Sequence, residues 1–79
     1  MTDQELIQRI SSNSQTLAGK PVVKGTRLSV DFILNLLAHG HSFSDILEEY
    51  EGLEQADIQA CLLFAAQSLS SATFMPLSA

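Results

Sequence analysis

Apolar positions recur at helical spacing along most of the chain, and the places where that spacing fails divide it into elements. Thr2-Asp3-Gln4-Glu5 has the form of a capping box, a hydroxyl followed three residues later by a glutamate. It predicts a short helical turn through Leu6, Ile7 and Ile10. The polar run from Ser11 to Thr16 ends that turn. The period then changes. Residues 21–24 (Pro21-Val22-Val23-Lys24) lie between Gly19 and Gly25 and carry β-branched side chains, which predicts a short strand. Proline cannot donate to a sheet ladder, so Pro21 belongs at the start of that strand or on an edge.

From Ser29 onward the pattern is helical. Ser29 is an N-cap candidate, Asp31 suits the positive end of a helix dipole, and Gly40 supplies a stop. Val30, Ile33, Leu34 and Leu37 form one stripe, which Phe32 and Leu36 widen. Ser42-Phe43-Ser44-Asp45 is a second cap, opening a short helix to Tyr50 with Ile46, Leu47 and Tyr50 inward. Glu51-Gly52-Leu53 is a turn, and Gly52 sits where a left-handed backbone is expected. The last helix is predicted from about Glu54 to Leu69, burying Ile58, Cys61, Leu62, Ala65 and Leu69. Residues 70–79 lack a period and contain Pro76, so they are expected to form a frayed tail.

Helix, short helix, glycine turn and longer helix together make a helix-turn-helix pattern. The expected organisation is one mainly α domain. Residues 1–28 form an N-terminal turn and short β element, residues 29–69 the three-helix core, and residues 70–79 the tail.

Composition narrows the class. A chain of 79 residues can bury only about 60–65% of its unfolded surface, which allows a single small core. No apolar run approaches the roughly 18 residues of a membrane span. One cysteine excludes an internal disulfide. The acidic start, unlike a signal peptide, makes a cytoplasmic location the expectation. The net charge of −5 is unevenly spread. Arg9, Lys20, Lys24 and Arg27 are the only basic residues, opposed in that third of the chain by Asp3 and Glu5 alone. Beyond them lie Asp31, Asp45, Glu48, Glu49, Glu51, Glu54 and Asp57 with no lysine or arginine. Such a surface attracts basic partners and repels phosphate backbones, except near the N-terminal third.

The run Gly19-Lys20-Pro21-Val22-Val23-Lys24-Gly25-Thr26-Arg27-Leu28-Ser29-Val30 resembles the signature of a prokaryotic family known as domain of unknown function 433. The likeness continues through Ile46-Leu47-Glu48-Glu49-Tyr50 and Leu53-Glu54-Gln55-Ala56-Asp57-Ile58-Gln59-Ala60-Cys61-Leu62, covering about residues 10–67. The resemblance implies a homeodomain-like three-helix fold preceded by a small β element. It also implies an antitoxin-like role, since members are often encoded beside PIN-like nuclease toxins. Three positions depart from the family pattern. Ser29 and Glu51 stand where proline is usual, and Glu54 stands where threonine, a better N-cap, is frequent.

Two groups of residues are candidate sites. Lys20, Lys24 and Arg27, with the backbone of Gly25 and Thr26, can contact phosphate or clamp a partner's carboxylate. The alternative is that Gly19 and Gly25 are turn residues and Arg27 pairs with an acidic residue of the helices. In a DNA-reading arrangement the first turns of the last helix, residues Glu54, Gln55, Ala56, Asp57 and Gln59, face the bases. Gln55 and Gln59 can read adenine, while Glu54 and Asp57 oppose phosphate. His39 and His41 lack the further ligands a metal needs, and Cys61 reads as a core thiol. No nucleophile, base and oxyanion donor come together, so the chain is expected to be a non-enzyme without cofactor, metal or small-molecule substrate.

The function expected is that of an antitoxin-like protein binding a PIN-like nuclease and its own operator DNA. The alternatives are a dimeric DNA-binding regulator and a structural module with no nucleic-acid role. A homodimer is expected through Pro21, Val22 and Val23, because a lone two-stranded ribbon is marginal and leaves a valine facing solvent. The alternative is that residues 10–28 fold over the helices of their own chain, with Val22 and Val23 in the monomer core.

Overall fold

A computed structural model describes residues 1–12 and 19–70. The polar turn expected over residues 13–16 and the tail from residue 71 lie outside the described residues. The fold is mainly helical, with a two-stranded antiparallel sheet near the N-terminus.

Helix α1 (Asp3–Ile7) is opened by the expected capping box. The Thr2 hydroxyl accepts from the Glu5 N–H at 3.2 Å, and the Glu5 carboxylate accepts from the Thr2 N–H at 3.0 Å. The helix does not carry on to Ile10. The Arg9 N–H closes back on the Leu6 carbonyl, and Ile10 enters strand β1 (Ile10–Ser11). It reaches the core from the sheet rather than from a helical turn.

Strand β2 is shorter than expected, Val22–Val23. It runs antiparallel to β1, with Ile10 opposite Val23 and Ser11 opposite Val22. Its other edge is also occupied. The Val23 N–H donates to the Leu28 carbonyl, the Val30 N–H donates to the Pro21 carbonyl, and Val22 bridges to Ser29. Val22 and Val23 are 3% and 1% exposed within a single chain. The expectation that one of them faces solvent is therefore corrected. The segment after β2 folds back as a third stretch of backbone, Val23 joins the core cluster, and Val22 is buried within the same chain.

Helix α2 (Val30–Ala38) begins at Ser29, whose hydroxyl accepts from the Phe32 N–H at 3.2 Å. It buries Val30 and Ile33, while Leu34, Leu36 and Leu37 pack half-buried around them. Helix α3 (Phe43–Glu49) has the Ser42–Asp45 capping box and buries Ile46. Gly52 follows with φ +91° in open space, so the backbone angle and not crowding favours glycine there.

Helix α4 (Gln55–Ser70) packs against α1, α2, α3 and β1. Its inward arc consists of Asp57, Ile58, Ala60 and Cys61, with Phe64 half-buried beside them. Leu62 and Leu69, expected inward, are 42% and 67% exposed. The deepest part of the helix is the side of Asp57, Ile58 and Cys61. At about 100° per residue this turns positions 62 and 69 outward. Burial pushes the Cys61 thiol up to about 12, consistent with an inert core residue.

Candidate functional site

The basic segment is built on a tight turn after β2. The Thr26 N–H donates to the Val23 carbonyl at 3.1 Å, and Gly25 supplies φ +80° at the third position of the turn. The Thr26 hydroxyl then donates to the Val23 carbonyl at 2.8 Å and accepts from the Leu28 N–H at 3.0 Å. Gly25 and Thr26 thus hold the loop together, and the loop presents Lys24 and Arg27 as exposed side chains. Neither of those two forms an ion pair among the described residues. Lys20 differs, with its ammonium 3.5 Å from the exposed Asp31 carboxylate. The Asp31 carboxyl lies below its ordinary range, first because Ser29 bonds to it and then because of Lys20.

The arginine that pairs with the helices is Arg9 and not Arg27. Arg9 Nη1 donates to Glu54 Oε1 and to Asp57 Oδ1, both at 3.0 Å. These two bonds raise the guanidinium pKa further. The second Asp57 oxygen accepts from the Glu54 N–H at 2.8 Å, which closes the N-terminus of α4. Asp57 takes the capping role that Glu54 does not fill, and its side chain is only 10% exposed. It therefore does not face outward with Gln55 and Gln59, as a base-reading arrangement would have it. Those two glutamines are exposed on the first turns of α4. No hydrogen bond or ion pair joins them to the Lys20–Arg27 segment among the described residues.

Ion pairing also redistributes the charge. Asp31 is matched by Lys20, and Glu54 and Asp57 share Arg9, whose single charge offsets one of the two. Asp45 is bound to the Ser42 N–H in its cap. Glu48, Glu49 and Glu51 remain exposed on α3 and the turn after it, with no ion pair among the described residues. Beside them, Phe32 and Tyr50 meet edge to face with ring centroids 5.7 Å apart, and Phe32 is 38% exposed. Neither this aromatic pair nor the Arg9 hub was singled out from sequence. The pair joins α2 to the residue that follows α3, and Arg9 lies 45 and 48 positions from its partners.

No group of metal-ligating side chains occurs among the described residues, and no described helix is long and apolar enough to cross a membrane. Comparison with known families finds a match to a family described as a protein of unknown function (DUF433), over residues 10–65. No curated protein and no solved structure matches the chain.

Proposed function

This chain belongs to the DUF433 family, and on that premise we propose that it is a non-enzymatic, antitoxin-like protein of the cytoplasm. Its partner is a PIN-like nuclease with a basic surface. The observation that carries this reading is the unneutralised acidic cluster of Glu48, Glu49 and Glu51 on and just after α3. The other acids of the helical core are bonded within the chain, so the field an approaching protein meets is concentrated at α3.

Co-expression with the product of the adjacent reading frame tests it. A stable complex that weakens with added salt and on charge reversal at Glu48 and Glu49 is expected. Separate elution of the two proteins at low salt overturns the reading.

A second activity, contact with operator DNA by a dimer, is favoured by one observation. Lys24 and Arg27 are held exposed on a rigid turn without acidic partners among the described residues. Two copies would double that patch. A mobility-shift series over salt concentration tests it, and the absence of any specific complex at low salt removes it.

A further inference from the structure

We infer that the groove between α2 and α3 is the docking surface, and that it takes an amphipathic helix whose apolar ridge is flanked by arginine or lysine. This rests on the partner-binding reading above and gives the partner's contact its chemistry. Two adjoining depressions share Leu36 and His41 and together form the groove. Phe32 lines one, which is mainly apolar, and Tyr50 the other, which is mainly polar, and the edge-to-face contact joins the two rings across their boundary. Glu48 and Glu49 stand on the rim beside Tyr50. A large aromatic left 38% exposed next to two carboxylates without ion pairs matches a ligand that is apolar on one side and cationic on the other. Arginine fits best, since it pairs with carboxylate bidentately and stacks on aromatic faces.

A second copy of this chain is the poorer occupant. Docking the groove against its own equivalent would bring two sets of Glu48 and Glu49 together, with no lysine or arginine lining either side.

The chain provides its own reporter, because Tyr50 is the only tyrosine and there is no tryptophan. Its emission is followed while titrating a synthetic amphipathic helical peptide with leucines on one face and arginines beside them. The same peptide with glutamate for arginine is the control. A saturable response to the arginine peptide alone, weakening as salt is added, is expected. Glu48→Gln with Glu49→Gln should weaken binding about fivefold. Phe32→Ala should weaken it about tenfold. Both variants change exposed side chains, and circular dichroism verifies that they remain folded.

No saturable response, or equal responses to the two peptides, overturns the groove. So does Tyr50 emission that changes with protein concentration alone, which would mark a second copy as the occupant. The two readings fail separately. A nuclease complex indifferent to Phe32→Ala and to the Glu48–Glu49 pair removes the groove and keeps the nuclease. Peptide binding with no nuclease complex keeps the groove and removes the nuclease.

Discussion

Arg9 Nη1 lies 3.0 Å from Asp57 Oδ1, a bond spanning 48 positions of sequence. The other oxygen of the same carboxylate holds the Glu54 N–H at 2.8 Å. One side chain thus caps the longest helix and fastens it to the connection between α1 and β1. Asp57 is mostly shielded from water, while the Glu54 side chain that shares the arginine is 72% exposed. The two ion pairs are the same length and differ in what their loss exposes.

Asp57→Ala should therefore destabilise the fold by about 1–3 kcal/mol, combining a lost cap with a lost charge-assisted bond. Glu54→Ala should have much less effect, because its bond is solvated and its own N–H stays capped by Asp57. Urea unfolding of both variants checks this. Equal midpoints would show that the inward carboxylate has no structural role.

The second prediction concerns the face of α4. Ile58 is fully buried and Leu62 is 42% exposed. Ile58→Ala should cost about 2–5 kcal/mol and Leu62→Ala less than about 1 kcal/mol, read from the same denaturation curves. A cost at Leu62 as large as that at Ile58 would contradict the observed rotation of the helix.

That contrast shows what could be read from the chain before its fold was known. Thr2 with Glu5, Ser42 with Asp45, Ser29 with Phe32 and the positive φ of Gly52 were all legible, because each acts within three residues or on a single backbone angle. Helical spacing put Ile58, Cys61 and Leu62 on one stripe. A stripe does not say which part of its arc lies deepest, and packing put Asp57, Ile58 and Cys61 there while leaving Leu62 partly open beside Leu6. The candidate site was legible in the same uneven way. The exposed Lys24 and Arg27 follow from the glycine turn, and the acidic excess follows from counting. Which acids remain unpaired depends on Arg9, whose partners no local signal marks.

Acid sensitivity follows from the caps. Asp45 is held below its ordinary 3.8, first by the Ser42 N–H and then by the Ser42 side chain. Glu5 is held below 4.5, first by the Thr2 N–H. A carboxyl with a lowered folded pKa binds protons less readily folded than unfolded. Its contribution is complete above the unfolded value and is lost as pH falls through the folded one. Stability should thus be flat above about pH 5 and decline below about pH 4. Asp45→Asn keeps an acceptor for Ser42 without a titrating group, so its acid decline should be shallower. Thermal midpoints taken from about pH 6 to about pH 2 decide this. A parent and variant with superimposable profiles would remove Asp45 from the account.

The final prediction separates a folded monomer from a strand-built dimer. An interface through Pro21, Val22 and Val23 requires those side chains, or the free edge of their strand, to be available to a second copy. The two valines are buried and both edges of β2 are occupied, by β1 on one side and residues 28–30 on the other, which leaves only the half-buried Pro21 within reach of a second copy. Val22→Lys would place an ammonium group in the interior with no acceptor arranged for it. The expected cost is about 3 kcal/mol or more, a large part of a small domain's stability. The variant should lose helical signal in circular dichroism and shift its unfolding midpoint sharply. Leu69→Lys, at a position 67% exposed, should do neither. Sedimentation run beside the dichroism gives the opposite result its meaning. If Val22→Lys kept the parent's helical signal while a two-copy species became a single chain, β2 would be an interface after all and its burial within one chain would be wrong.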